Sequence, residues 1–304
     1  MSLSNPIPTD NRKATLFAVA AVVLWSTVAT GFKLGLEQFS VLQLLWLGTL
    51  CSWLVFAVHF FVTRKPGDLP TRSSSRLIAV CLLLGVFNPV IYYQILFAAY
   101  DLLPAFVAQP LNYTWAITLS LLSVPLLGHA FTKRNLAGLL CSYAGVVVLI
   151  VGAANSLPGQ ISQTGVALAL VSTVIWAGYW LMSTRWANLS PHLMFYSYTV
   201  AVVVLSIQVA WQDAWVTWTV DALIYGAWVG CIEMGFTFLL WQRAMLLTDN
   251  AARIGQLIFL SPFLSFALVW WVLDEPVGVV AVLALALIVA GTVIAQRQSS
   301  PTTG

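Results

Sequence analysis

The feature that most constrains this sequence is a series of ten long apolar stretches with almost no charge inside them. A helix needs about 20 apolar residues to cross a bilayer core of about 30 Å. Turn-forming and polar residues separate the stretches, as at Leu157-Pro158-Gly159 and Asp274-Glu275-Pro276. The runs are continuous, whereas a membrane β-barrel shows alternating segments of about ten residues. The predicted spans are residues 14–34, 41–62, 76–99, 104–127, 134–153, 163–184, 192–211, 222–246, 250–273 and 277–296.

Composition excludes most water-soluble functions. Of the 304 residues, 60% are hydrophobic and 8% are charged, whereas about a quarter of a typical soluble domain is charged. This composition excludes a cytosolic enzyme, a nucleic-acid-binding protein and a disordered chain. The excess of basic residues does not indicate a nucleic-acid partner, because these residues lie at loops and helix ends. The sequence therefore predicts an all-α integral membrane protein whose helices contact the lipid bilayer.

The basic residues predict the orientation of the chain. With the N-terminus in the cytoplasm, 12 of the 13 Lys and Arg residues fall on inner segments, and only Lys33 falls outside. Cytoplasmic loops of membrane proteins carry an excess of Lys and Arg. We therefore expect an even number of spans and both termini in the cytoplasm.

A weak internal repeat relates the two halves. An offset of 151 residues aligns Trp25 with Trp176, and an offset of 146 residues aligns Leu111 with Leu257. Each copy contains five spans, and because five is odd the second copy enters the membrane in the opposite orientation. Inverted repeats are a recurring plan of secondary transporters, whose substrate site lies near the bilayer midplane. We expect ten transmembrane helices in two inverted five-helix repeats, residues 1–153 and 154–304.

Glu233 is the only acidic residue predicted near the middle of a span. A carboxylate at that depth costs about 2.5–3.5 kcal/mol on insertion scales, so it should face the bundle interior or a wet cavity. It can exchange a proton during transport or bind a substrate ammonium group. The structural alternative is a neutral, hydrogen-bonded glutamate that holds helices together.

Four amides and one tyrosine form a second group of candidate substrate-binding residues. Asn88 and Tyr92 are one helical turn apart, and Gln109, Asn112 and Gln256 lie close to prolines in the predicted spans. A proline frees a backbone carbonyl that can bind a ligand where it lines a cavity. The alternative is hydrogen bonding between helices, worth about 0.6 kcal/mol on average.

Aromatic residues form a third group. Most of the 14 tryptophans are expected in interfacial belts, but Trp25, Trp115 and Trp176 lie in the middle of spans. Together with Tyr92 and Tyr179 they can wall a cavity for an apolar side chain or cover an ammonium group by cation–π contact. Plain core packing is the alternative.

Motifs of enzymes and ATP-driven pumps are absent from the sequence. There is no G-x-x-x-x-G-K-[ST], H-E-x-x-H or G-x-S-x-G pattern, and the four cysteines have no metal-ligand spacing. We therefore expect no catalytic residues, no metal and no cofactor.

Several short motifs resemble the drug/metabolite transporter superfamily of the EamA type. They are Lys13-Ala14-Thr15-Leu16, Val23-Leu24-Trp25-Ser26-Thr27, Asn112-Tyr113-Thr114-Trp115 and Ser261-Pro262. The resemblance is closest to bacterial amino-acid exporters. It implies a ten-helix basket with a central cavity, location in a bacterial inner membrane, and export of aromatic and other neutral amino acids. The short loop between spans five and six departs from that family's pattern.

The sequence thus predicts a monomeric secondary transporter of zwitterionic metabolites. A zwitterion has no net charge, so the membrane potential does little direct work on it, and downhill efflux is physically sufficient. The alternatives are efflux of cationic drugs or metabolites with Glu233 as the counter-charge, an intramembrane enzyme, and a receptor or assembly subunit.

Overall fold

The structure is a computed structural model that describes residues 9–64, 75–127, 132–186, 189–190, 192–249, 254–255 and 257–296. Most of these residues are helical, and the described part of the chain contains no β-strand. Of the predicted site residues, Gln256 lies outside the described residues. The α-helices are α1 (Asn11–Ser26), α2 (Val28–Gln38), α3 (Val41–Thr63), α4 (Ser75–Gly85), α5 (Tyr92–Leu102), α6 (Ala105–Tyr113), α7 (Trp115–Leu127), α8 (Lys133–Ser156), α9 (Gln163–Trp186), α10 (Leu193–Trp211), α11 (Val220–Ala227), α12 (Thr237–Leu247), α13 (Ser261–Leu273) and α14 (Val279–Gln296).

Seven helical runs among the described residues are long and apolar enough to cross a membrane. Two shorter apolar helices, Leu257–Leu273 and Val279–Ala295, follow them. The prediction of an all-α membrane protein is confirmed to this extent, and the ten-helix arrangement stays a prediction. The seven runs are Asn11–Gln38, Val41–Thr63, Ser75–Leu102, Lys133–Ser156, Gln163–Ser183, Leu193–Trp211 and Val220–Leu247.

Side-chain caps fix where several helices begin. Ser40 accepts from the Gln43 backbone N–H while the Gln43 side chain accepts from the Ser40 N–H, which forms a capping box at the start of α3. Thr132 caps α8 and Thr219 caps α11 by accepting from a backbone N–H three residues later. Such caps satisfy N–H groups that have no partner within the helix.

Small residues let α8 and α14 pack closely. A Cβ atom added to Gly291 would lie 2.5 Å from the Gly138 carbonyl oxygen, and one added to Gly145 would lie 2.7 Å from the Ala284 carbonyl oxygen. Ser142 of α8 donates a hydrogen bond of 2.8 Å to the Ile288 carbonyl of α14. In lipid, where the hydrophobic effect gives no net drive for helix association, such packing and hydrogen bonds hold helices together.

Two helical runs are interrupted by π-helical turns. The segment Val86–Ile91 joins α4 to α5, and the segment Trp228–Phe236 joins α11 to α12. Within the first segment Asn88 has extended backbone angles (φ −143°, ψ 119°). π-helical turns occur frequently at functional sites, and these two contain Asn88 and Glu233.

Candidate functional site

Glu233 lies in the second π-helical segment and is partly accessible to solvent. Its Oε1 atom accepts a hydrogen bond of 2.9 Å from the hydroxyl of Tyr93, a buried residue of α5. Its Oε2 atom is buried and has no hydrogen-bond partner among the described residues. The Trp25 indole is close to the same carboxyl group. One carboxylate oxygen is therefore held in place, and the other is available to a ligand donor.

Asn112 connects three helices. Its Nδ2 atom donates to the Tyr92 hydroxyl of α5 at 3.2 Å and to Ser172 Oγ of α9 at 3.0 Å. Ser172 in turn donates to the Ala169 carbonyl at 2.7 Å. The structure thus gives Asn112 interhelical hydrogen bonds, while direct contact with a substrate stays a prediction.

Trp176 is the centre of an aromatic cluster. Its ring stacks on Tyr92, with centroids 4.5 Å apart and planes at 26°, and on Tyr179, with centroids 5.7 Å apart. Trp115 meets it edge-on at 6.5 Å. Stacked and edge-to-face pairs are each worth about 0.5–1.5 kcal/mol beyond their area burial. The structure therefore brings together four aromatic residues that the sequence singled out.

Phe238 connects Trp25 to this cluster. Its ring meets Trp25 edge-on at 6.0 Å and Trp176 edge-on at 6.1 Å. The two tryptophans aligned by the internal repeat are thus on either side of one ring. Sequence reasoning missed Phe238 and Tyr93. A signal for Phe238 was present, because the offset of 146 residues aligns it with Tyr92.

Asn88 and Gln109 are buried, at 1% and 3% exposure. Both side-chain polar atoms of Asn88, and Oε1 of Gln109, have no hydrogen-bond partner among the described residues. The Tyr179 hydroxyl is near Asn88, without a hydrogen bond of normal geometry. A buried polar atom left unsatisfied costs about 1–3 kcal/mol. These amides are therefore candidates to bind water or a ligand.

A hydroxyl pair that sequence reasoning did not select lies between α6 and α13. The Tyr113 hydroxyl is close to Ser261, and the hydroxyls of Ser261 and Ser265 are buried without a hydrogen-bond partner in the described part of the chain. In the sequence, the Ser261-Pro262 motif indicates only the position of a helix proline. The signal for a polar role was the presence of two serines one turn apart in an apolar helix.

The chemistry of the site is that of binding. Among the described residues, no three His, Cys, Asp or Glu side chains are grouped as metal ligands. The site instead combines one carboxylate oxygen without a partner, aromatic faces and several amides and hydroxyls. This combination suits a small ligand that carries both an apolar group and a cationic group.

Three relatives from bacteria are transporters. The aromatic amino acid exporter YddG of Ancylobacter novellus is 27% identical over 298 residues, which cover 94% of this chain and 98% of that protein. YddG of Salmonella typhimurium is 24% identical, over 88% of this chain and 91% of that protein. The uncharacterized transporter YvbV of Bacillus subtilis is 23% identical over 72% of each chain.

A solved crystal structure shows the same fold. It matches with a TM-score of 0.67 and 23% identity, over 94% of this chain and 96% of that one. The profile of the EamA-like transporter family matches residues 12–151 and again residues 163–296. The family and the named relatives are transporters, so the prediction that the chain is not an enzyme is confirmed. The chain therefore belongs to the EamA-like transporter family.

Proposed function

We propose that this transporter exports aromatic and other neutral amino acids across a bacterial inner membrane, by alternating access to a cavity near the midplane. The observation that carries the proposal is the Oε2 atom of Glu233, which is buried without a partner among the described residues. The same carboxyl group is close to Tyr93 and Trp25, and their rings contact the aromatic cluster through Tyr92 and Phe238. An amino acid supplies an ammonium group for that oxygen and an apolar side chain for the rings. The names of the two YddG relatives support the substrate class.

The proposal includes ten transmembrane helices in two inverted repeats, residues 1–153 and 154–304. The family profile supports it, because it matches the chain twice and each match begins and ends within one of these halves. The two π-helical segments add support. They interrupt the third and the eighth predicted spans, which are equivalent members of the two repeats.

The proposal also places both termini in the cytoplasm. Connections that the charge pattern assigns to the outer side meet in the structure, since Glu275 contacts the start of α6. Segments assigned to the inner side also meet, since Asn11 Nδ2 donates to Asp249 Oδ2 at 2.9 Å. Such segregation supports the assignment of these segments to two opposite sides, and the Lys and Arg residues favour the cytoplasm for the side that carries the termini. Within this proposal the protein acts as a monomer in the lipid bilayer.

The site residues have distinct roles in the proposed complex. Glu233 binds the ammonium group, and the amides bind the polar groups of the substrate, with Asn88 Nδ2 as the donor that has no partner among the described residues and can donate to the carboxylate. The aromatic residues surround the side chain of the substrate. The amides are Asn88, Gln109, Asn112 and Gln256, and the aromatic residues are Trp25, Tyr92, Trp115, Trp176 and Tyr179.

Uptake of labelled amino acids into proteoliposomes tests the proposal. We expect saturable uptake of aromatic amino acids above that of empty vesicles, measured with and without a pH gradient. Glu37, an exposed carboxylate of α2, supplies the control variant Glu37→Gln, which should transport like the wild type. Uptake equal to that of empty vesicles for all amino acids would contradict the proposal.

Efflux of cationic drugs is the second candidate, and the same Oε2 atom favours it because a cation needs a counter-charge in lipid. The two functions differ in which compounds compete for transport. For a cation exporter, Glu233→Gln should abolish transport of lipophilic cations, and an excess of neutral amino acid should not compete with them. For an amino-acid exporter, neutral amino acids should compete with one another.

A further inference from the structure

Lys33 holds the end of α5. This lysine of α2 donates from its Nζ atom to the Tyr100 carbonyl at 2.8 Å and to the Leu103 carbonyl at 3.1 Å. The last carbonyls of a helix have no partner within it and carry the negative end of the helix dipole. An ammonium group is therefore favourable at this position.

Glu275 holds the start of α6, which follows α5 across the short corner formed by residues 102–105. Its Oε1 atom accepts from the Ala105 N–H at 2.7 Å, and its Oε2 atom accepts from the Phe106 N–H at 2.9 Å. Both donors belong to the first turn of a helix, where a carboxylate satisfies free N–H groups and meets the positive end of the dipole. Hydrogen bonds to an ionised acceptor are roughly twice as strong as neutral ones.

These contacts join parts of the chain that are far apart in sequence. Lys33 lies in α2 of the first half, and Glu275 lies in the non-helical connection between α13 and α14 of the second half. Lys33 also attracts the Glu275 carboxylate electrostatically. The α5–α6 corner, residues 102–105, is therefore held from both halves by charged groups.

We propose that Lys33 and Glu275 form a reversible latch that closes the outer end of the transport pathway, and that Glu275 leaves the start of α6 when this end opens. The inference rests on the proposed function, because alternating access requires the outer end to open. The carboxylate is carried by a short non-helical segment, which begins at Asp274 in a left-handed conformation (φ 52°). Glu275 can therefore move without unfolding a helix.

The energetics of Glu275 suit a contact that must break in every cycle. Burial raises the pKa of its carboxyl group above the ordinary value, and the two N–H donors and Lys33 offset this only in part. The ionised carboxylate therefore has a net desolvation cost in the closed state. When Glu275 moves away from the start of α6, water can replace both N–H donors, so breaking this contact costs little free energy.

Distances between two spin labels test the latch in the full-length protein in lipid nanodiscs. The labels replace Leu102 at the end of α5 and Val279 at the start of α14, two side chains exposed in the structure, after the four native cysteines have been substituted. We expect mainly one short distance in the wild type. Glu275→Ala removes both acceptors. It should raise the ratio of the long-distance population to the short-distance population by about tenfold or more, which is the change that about 1.4 kcal/mol produces.

Two further variants keep the result interpretable. Asp274→Asn removes a neighbouring charge and tolerates the left-handed backbone, so it should keep the wild-type distances. Glu275→Gln keeps one acceptor and should give an intermediate distribution, which is informative if the alanine variant does not fold. Wild-type distances in both Glu275 variants would overturn the latch. Because no substrate is added, failure of the wild type to transport amino acids would contradict only the proposed function.

Discussion

Glu233→Gln is the most direct perturbation of the proposed site. The wild-type carboxylate is held by the Tyr93 hydroxyl at 2.9 Å through one oxygen, and its other oxygen is buried without a partner in the part of the chain that the structure describes. A substrate ammonium group can thus gain a complete charge-assisted hydrogen bond at a preorganised acceptor. Such a bond contributes about 1.5–3 kcal/mol. Because 1.4 kcal/mol is a factor of ten in affinity, glutamine should weaken binding of the ammonium group by about 10- to 150-fold.

The assay compares half-saturating concentrations in proteoliposomes for an aromatic amino acid and for its analogue without the amino group. Glutamine should raise the value for the amino acid and leave the value for the analogue nearly unchanged, since the analogue has no ammonium group. Glu37→Gln serves as the control. An equal loss for both compounds, or no loss for either, would refute the reasoning that Glu233 binds the ammonium group.

Three further predictions concern the aromatic cluster, helix packing and the latch. Trp176→Ala removes the ring that stacks on Tyr92 and Tyr179 and should reduce transport of aromatic amino acids more than transport of aliphatic ones. Trp211 is 89% exposed, so Trp211→Ala should change neither in the same uptake assay. Gly291→Ala places a carbon atom 2.5 Å from the backbone of α8. It should destabilise the protein by about 1–3 kcal/mol, measured by thermal unfolding. The added carbon of Gly278→Ala meets nothing within 4 Å, so this control variant should keep the wild-type stability. Lys33→Met removes the ammonium group that donates to the Tyr100 and Leu103 carbonyls, so it should shift the spin-label distances toward the longer one. Wild-type distances in this variant would contradict a role of Lys33 in the latch.

The sequence predicted helices well where an apolar run coincides with a clear cap. The span predicted over residues 41–62 is observed as Val41–Thr63, because the Ser40 capping box fixes its start. The π-helical turns could be predicted only in part. Asn88-Pro89 indicated an irregularity in span three, but the segment Trp228–Phe236 contains no proline.

The second π-helical segment depends on tertiary contacts. Ser52 of α3 donates a hydrogen bond of 2.8 Å to the Gly230 carbonyl, which satisfies this acceptor from outside the helix. A Cβ atom on Gly230 would also lie 3.0 Å from the Ser52 backbone nitrogen. Residues more than 170 positions apart therefore shape this turn, and the spacing of a regular helix does not apply around Glu233.

The candidate site, too, could be predicted from the sequence only in part. Membrane depth identified Glu233, and the internal repeat identified Trp25 and Trp176. The sequence could not show which of two adjacent tyrosines reaches the carboxylate, because Tyr92 and Tyr93 differ only in direction. In the structure Tyr93 bonds Glu233, whereas Tyr92 bonds Asn112 and stacks on Trp176.

Glu233 and Glu275 are both partly buried, but their hydrogen bonds differ in a way that supports ligand binding by Glu233. Glu275 has both oxygens bonded to backbone N–H groups, so neither oxygen is left for a ligand in this state. Glu233 has one oxygen bonded and the other buried without a partner in the described part of the chain. A purely structural glutamate at membrane depth would carry the cost of an unsatisfied oxygen, about 1–3 kcal/mol, without any return. A transported ammonium group satisfies that oxygen during part of the cycle, so the missing hydrogen bond is the property that a substrate site requires.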